Sequence, residues 1–250
     1  MSNLKVESFY KLISSFSKSK NLKKNIFILE IGCGNGNLTN YFYKKGNNCI
    51  GIDVEFKYGP FVESLFSKGL IKLIYQEGNN RKDIHKKNLN YLWPCRNNSI
   101  DLAFSSSVIE HILNLEEFIS ENSRVLKKGG YCIHYFPSRS SLLEAHIGIP
   151  FGGIFINKIY YRIMISLGLC KKNYSNFIDA YSYMKKSTNY VSKTVLINLF
   201  DKYDLKFVNE SNDLIIKYMG PKCTKFLSNS KIICWLFGIL RSRILIFKKK

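Results

Sequence analysis

Acidic residues are scarce in this sequence. Only 18 Asp+Glu stand against 38 Lys+Arg, which leaves a net charge of +20 over 250 residues. Such an excess favours anionic partners, whether nucleic acid, acidic lipid or a phosphorylated substrate. The chain is also rich in Lys, Asn, Ile, Tyr and Phe together, as a compositional bias of the genome would give, so charge alone names no partner. Cysteine pairs at metal-site spacing are missing: the seven cysteines, at positions 33, 49, 95, 132, 170, 223 and 234, form no C-x-x-C, which argues against a zinc site. An odd number of thiols set in apolar runs reads as free and buried, in a reducing cytoplasm. No repeat at a solenoid or propeller period is visible. The polar stretch Met1–Lys24 has no apolar h-region, so it is not read as a signal peptide. No stretch reaches the ~18 apolar residues that span a bilayer. The longest run, Ile232 to Leu240, stops at Arg241 and Arg243.

What is present is an ordinary share of hydrophobic residues, 46%, enough to fill the core of one sizeable α/β domain. Short apolar runs predict strands over 25–31, 48–54, 70–76, 100–105 and 131–136. Amphipathic segments over 38–45, 62–68 and 115–126 predict helices between them, the last stopped by 127–130. This alternation implies a mostly parallel sheet with helices on both faces, whose ligands bind beyond the carboxyl ends of the strands. Residues 138–190 break the rhythm and read as an inserted cap. A helix over 192–202, a sixth strand over 205–210, a helix over 231–240 and a last strand over 244–247 complete a seven-stranded sheet.

The strongest local signal follows the first strand. Gly32, Gly34 and Gly36 alternate in Glu30-Ile31-Gly32-Cys33-Gly34-Asn35-Gly36. Glycine allows positive φ and lets a ligand lie against bare backbone. The dinucleotide fingerprint G-x-G-x-x-G would need glycine at position 37, where Asn37 stands. Asp53 ends the second strand, where a carboxylate can accept hydrogen bonds from both hydroxyls of a ribose. A surface turn aspartate is the plainer alternative.

The pattern E-x-G-x-G-x-G resembles that of class I S-adenosylmethionine-dependent methyltransferases, whose fold is a Rossmann-like α/β sheet. That resemblance implies S-adenosylmethionine as the cofactor. It puts Glu30 near the cationic amino-acid end, directly or through water, and Val54 against the adenine. Asp83 is a candidate for the adenine amino group, with a solvated loop acid as the alternative, and Ser105 and Ser106 line the cofactor through backbone groups.

From Trp93 onward the resemblance is to the methyltransferase group that includes the ubiquinone- and menaquinone-biosynthesis enzymes. It is carried by Pro94, Ser99-Ile100-Asp101, Glu110-His111 and Arg124-Val125-Leu126-Lys127-Lys128-Gly129-Gly130. Ile100 and Lys128 replace the usual Phe and Pro. Some quinone-pathway enzymes have an acid three residues before Glu-His that helps hold a divalent metal. Ser107 stands there, so no metal is carried over. Glu144-Ala145-His146-Ile147-Gly148-Ile149-Pro150 resembles an E-x-H-x-G-x-P segment of methyltransferases in surface-polysaccharide and lipopolysaccharide biosynthesis. The expected organisation is therefore one domain over 1–250. Residues 25–137 form the cofactor-binding core, 138–190 an acceptor-side cap, and 191–250 complete the sheet.

The expected activity is methyl transfer to a small or lipid-linked acceptor, with a sugar hydroxyl of a surface glycan as the specific candidate. A hydroxyl acceptor needs a base. His111, after strand four, is a candidate base or an orienting group at the helix entrance. His146, at the start of the cap, is a candidate base, acceptor contact or loop-packing residue. Glu144 orients His146 or binds a sugar hydroxyl. His134 reads as a core histidine and His85 as an exposed one. From Pro221 to Lys250 there are eight Lys or Arg and no acids, so this region reads either as a peripheral contact with an anionic membrane or as a helix and strand finishing the sheet. Base-amino nucleic-acid methylation is disfavoured. Its Asp/Asn-Pro-Pro-aromatic motif is replaced by Ser105-Ser106-Ser107-Val108. A quinone-type acceptor, RNA ribose or carbon methylation, and a non-catalytic binding role stay open as alternatives.

Overall fold

A computed structural model describes residues 3–22, 25–56, 59–76, 91–171, 176–220 and 222–250. In chain order the elements are α1 (Asn3–Ser19), β1 (Phe27–Ile31), α2 (Asn37–Lys44), β2 (Asn48–Asp53), α3 (Pro60–Ser67), β3 (Ile71–Leu73), the two-residue strands β4 (Tyr75–Gln76) and β5 (Tyr91–Leu92), β6 (Ile100–Ser106), α4 (Leu115–Val125) and β7 (Leu126–Pro137). Then come α5 (Lys158–Ser166), α6 (Phe177–Ser187), α7 (Lys193–Lys202), β8 (Leu205–Glu210), α8 (Asn212–Met219), α9 (Lys231–Leu240) and β9 (Ser242–Lys249).

Seven strands form one sheet in the order β3-β2-β1-β6-β7-β9-β8. The first five run parallel, and β9 runs antiparallel to both β7 and β8. This is the expected Rossmann-like α/β architecture, with its antiparallel strand supplied by the last residues of the chain. Side chains alternate across the sheet as strand geometry requires. On β9, Leu245 and Phe247 face one core layer and Ile244 and Ile246 the other. Phe118 and Ile119 of α4 and Leu196 and Phe200 of α7 cover the first layer. Phe9, Leu12 and Ile13 of α1 cover the second, with Leu38 and Phe42 of α2. Each such fully buried side chain contributes roughly 1.5–3 kcal/mol.

Several boundaries depart from the sequence reading. The stretch read only as polar forms α1, and its Val6, Phe9, Ile13 and Phe16 recur every three or four residues and are buried. The third strand ends at Leu73, and residues 75–76 pair instead with 91–92 in a separate ribbon. The fifth strand starts at Leu126, straight out of α4, and the register between β6 and β7 shifts near Ile100. Asp83 and His85 lie outside the described residues.

Within residues 138–190, Ile147, Ile149, Tyr161, Ala180 and Met184 build a small core of their own. Its helices start on side-chain caps: Asn157 accepts from the Tyr160 N–H, and Asn176 from the Ile178 N–H. Three hydrogen bonds stitch the end of α6 and the residues just beyond it to the turn after β6. They run from His111 Nδ1 to the Ser187 carbonyl (2.7 Å), from the Asn189 N–H to the Glu110 carbonyl (2.6 Å) and from Asn189 Nδ2 to the Ile112 carbonyl (2.8 Å).

Candidate functional site

A cleft of about 370 Å³ opens at the carboxyl ends of β1, β2 and β6. Gly32, Asp53, Val54, Ser107, Val108 and His111 contribute to its wall, and Ile74, Trp93 and Phe118 make much of it apolar. Its size is within the ordinary range for a small-ligand site.

The three loop glycines do different jobs. At Gly32 a Cβ would sit 2.3 Å from Val108 Cγ2, so the bare backbone lets the residue after β6 close over the loop. Gly34 takes φ +54° with nothing within 4 Å of where a Cβ would be, and its N–H donates to Asp53 Oδ2 at 2.6 Å. At Gly36 a Cβ would meet Leu65 and Ile71, so this glycine serves packing of α3 and β3 against the start of α2.

Asp53 is held in place by its neighbours. Oδ1 accepts from the N–H of Val54 at 2.7 Å, and Oδ2 from Gly34. Burial raises its carboxyl from the ordinary range while these N–H groups pull it back. Glu30 turns away from the cleft. It is 4% exposed and accepts from Thr39 Oγ1 at 2.5 Å on the first turn of α2. Burial pushes its carboxyl up to about 8. Its place is therefore under the loop, bracing it to α2.

Ser105 is fully buried, and its Oγ lies 2.8 Å from His134 Nδ1. The cleft wall here is made two and three residues further on, by Ser107 and Val108, with Ser106 half-buried at the strand end. Ser107 takes φ +58°, a left-handed conformation that a non-glycine residue adopts at a cost of roughly 1–3 kcal/mol. His134 is a core histidine between Phe118 and Phe200, and burial holds its ring neutral, its pKa lowered to about 3. Its Nε2 has no hydrogen-bond partner among the described residues.

His111, His146 and Glu144 meet. Glu144, 1% exposed, accepts from the N–H of His146 (2.9 Å) and of Ile147 (2.6 Å) through Oε2. Its Oε1 accepts from His146 Nδ1 (2.7 Å) and the Tyr190 hydroxyl (2.5 Å). Burial opposes the charge, but these four donors outweigh it and hold the carboxyl ionised, with a pKa of about 2. Burial first, and then the neighbouring Glu144 charge, keep Tyr190 protonated.

His146 Nε2 lies 3.2 Å from His111 Nε2. A carbonyl and an ionised carboxylate can only accept, so both Nδ1 atoms must carry protons. The two Nε2 atoms therefore face each other with lone pairs, unless a proton or a cation sits between them. Beside them Glu110 is 2% exposed, has no hydrogen-bond partner on either carboxylate oxygen among the described residues, and is pushed up to about 7 by burial. Glu110, His111 and His146 each bring one ligand atom within 4.8 Å of the others.

Sequence reading thus named the members of the histidine cluster but not Tyr190, which appears in no motif, nor the orphaned carboxylate of Glu110. His111 alone of the cluster lines the cleft; His146, Glu144 and Tyr190 stand behind it.

Comparison with known proteins fits this geometry. Residues 29–134 match the family described as "Methyltransferase domain". The ubiquinone biosynthesis O-methyltransferase of Pelagibacter ubique is 27% identical over 135 residues, 54% of this chain and 51% of that protein. The chain thus spans about half the length of this curated relative. Among solved structures, an S-adenosylmethionine-dependent methyltransferase from Mesorhizobium loti superposes with a TM-score of 0.53 at 12% identity, over 92% of this chain and 95% of that one. The geranyl diphosphate C-methyltransferase of Streptomyces coelicolor A3(2) gives 0.52 at 10% identity, over 96% and 79%. At these identities the structures establish the shared fold.

Proposed function

We propose that residues 29–134, which match the family described as "Methyltransferase domain", work as a methyltransferase of the class I, S-adenosylmethionine-dependent kind, and that the chain methylates a hydroxyl on a small or lipid-linked acceptor, with the His111–His146 pair taking the hydroxyl proton. The carrying observation is the 3.2 Å approach of two Nε2 atoms whose Nδ1 positions are both committed to acceptors.

The residues present fit the cofactor. Asp53 offers the cleft an acceptor whose orientation two backbone N–H groups have already fixed. Trp93, Ile74, Val108 and Phe118 offer apolar walls to a ring, and Gly34 leaves open space above the loop. When bound there, the cofactor supplies an electrophilic methyl group on a sulfonium. The protein's share of the work is to orient the acceptor oxygen and remove its proton. Ser187 and Glu144 hold the two rings by their Nδ1–H groups, which leaves the two Nε2 atoms pointing at each other. A proton arriving from the acceptor is shared by two nitrogens. Glu144 stabilises the resulting imidazolium, and Tyr190 and two backbone N–H groups keep Glu144 fixed.

Two acceptors are in view. The 144–150 segment supports a sugar hydroxyl in surface-glycan biosynthesis. The O-methyltransferase relative favours a quinone-type phenol as the second reading. Purified chain would be supplied with radiolabelled S-adenosylmethionine and, in parallel, a lipid-linked oligosaccharide and a polyprenylated catechol. Label in the oligosaccharide supports the glycan reading, label in the catechol alone replaces it, and the absence of any cofactor binding would remove the enzymatic reading altogether.

A further inference from the structure

The outer surface carries a second feature that the methyl-transfer site does not use. On α9, Ile232, Trp235, Leu236 and Leu240 fall at spacings of three and four and are all exposed, Ile232 by 71% and Trp235 by 62%. The helix touches α8 and β9 through its opposite side, where Gly238 is buried and a Cβ would strike Asn212. On α5, Ile159 and Ile163 form a second outward stripe that Leu167 continues, with Ile159 75% exposed. Soluble surfaces scatter apolar residues singly, whereas two periodic stripes of large side chains mark an interaction surface.

The end of α9 and the residues that follow α5 border one groove. A groove of about 810 Å³ is bordered by Leu240 and Arg241 at the end of α9, by Leu142 and Leu143, and by Cys170 and Lys171 just beyond α5. Backbone bonds fix this meeting: the Leu142 N–H donates to the Leu240 carbonyl at 2.8 Å, and the Lys171 N–H to the Ile147 carbonyl at 2.7 Å. Lys5 from α1 joins Lys171 and Arg241 at the rim. Among the described residues of the groove wall the one acid is Glu144, whose charge is already engaged by four donors.

We propose that this face, formed by α9, the Leu142–Leu143 turn and α5, docks the protein on an anionic lipid bilayer. Charge decides the occupant. Residues 138–190 contain seven Lys or Arg and two acids, and residues 221–250 eight and none. A second copy of the chain would bring like charges together, while acidic headgroups complement the rim as the apolar stripes enter the interface. Trp235 suits the headgroup boundary, with its apolar body and polar N–H. No described helix is long and apolar enough to cross a membrane, so the contact is peripheral. Because Glu144 belongs both to the groove wall and to the His146 contact, a molecule anchored in that lipid would lie directly behind the histidine cluster. The inference does not depend on methyl transfer, and its test reads binding alone.

The 250-residue chain would be sedimented with phosphatidylcholine vesicles and with vesicles also containing phosphatidylglycerol. Wild-type protein should pellet with the anionic vesicles and be released by salt. The pairs Trp235→Glu with Leu236→Glu, and Ile159→Glu with Ile163→Glu, change only exposed residues, so circular dichroism and melting should match wild type. Each pair should lower vesicle partitioning roughly tenfold or more. Wild-type protein remaining in the supernatant with anionic vesicles at low salt would overturn the proposal. So would a loss confined to one pair, or wild-type binding by both. A concentration-dependent dimer that the same substitutions dissolve would assign the face to self-association instead.

Discussion

Glu144 Oε1 lies 2.7 Å from His146 Nδ1, and the same carboxylate also receives the Tyr190 hydroxyl and two backbone N–H groups. One residue therefore sets the tautomer of the histidine and the shape of the loop that carries it. Glu144→Gln offers an amide N–H where an acceptor is needed, and should lower kcat by about ten- to a hundred-fold with little change in cofactor affinity. The pH dependence has a definite sign. The folded carboxyl sits near 2, below its ordinary 4.5. Its contribution to stability is then fully present above about 4.5 and is lost as pH falls towards 2, on the order of 3 kcal/mol in total. Urea titrations across that window should show wild type losing more stability than Glu144→Gln; parallel curves would mean that the four donors do not stabilise the ionised form.

His111 and His146 can be separated by what they touch. His111 lines the cleft, while His146 stands behind it. His111→Gln and His146→Ala should each cut turnover by about 10²–10⁴-fold, the usual worth of a general base. Calorimetry should show S-adenosylmethionine binding unchanged in His146→Ala. The double variant should be barely worse than the worse single one, because groups that act as a unit are not additive. Chelation controls read a different role for the same atoms. If EDTA abolishes activity and a divalent cation restores it, then Glu110, His111 and His146 hold a metal rather than a proton.

Asp53 has two structural duties besides facing the cleft: it accepts from Gly34 and from Val54. Asp53→Ala removes the charged acceptor and frees the glycine loop at once. Charge-assisted hydrogen bonds are worth ~1.5–3 kcal/mol each, so cofactor affinity should fall at least about tenfold and up to several hundred-fold. Asp53→Asn keeps the shape and should fall in between. Gly34→Val must adopt φ +54° with a β-branched side chain and should also weaken binding sharply. Equal dissociation constants for wild type and Asp53→Ala would dismiss this end of the cleft as the cofactor site.

The strand–helix alternation, the glycine loop and Asp53 were legible because they are local: a period of two, a period of three to four, and three glycines in one turn. The meeting of His111 with His146 was not, since 35 residues, with α4 and β7 among them, separate the two and nothing in either motif encodes their distance. Tyr190 was invisible for the same reason, 46 residues from the carboxylate it serves. Glu30 was legible as a residue but not as a direction. The motif locates it at the end of a strand, and the alternation of the strand then turns its side chain inward to Thr39, a consequence of register rather than residue type. The helix α1 had a readable apolar period, masked by its lysines and serines.

Glu30 gives the clearest linkage test because it is buried, bonded to a neutral hydroxyl, and raised to about 8 by burial. In the unfolded chain it ionises near its ordinary 4.5, while the folded protein keeps its proton. Below about 4.5 both states are protonated and the group contributes nothing to the pH dependence. As pH rises from there to about 8, only the unfolded state gains by ionising, so stability falls, by at most ~1.4 kcal/mol per pH unit for one proton. Glu30→Gln keeps a group that can meet Thr39 and cannot ionise. Its stability should therefore be flatter than that of wild type between pH 5 and 8, with the two proteins converging at the acid end. The same substitution leaves Gly34 and Asp53 in place, so cofactor affinity should change little. A variant whose melting follows the wild-type slope through this range would show that Glu30 is already ionised in the fold, with Thr39 and the α2 N-terminus carrying its charge.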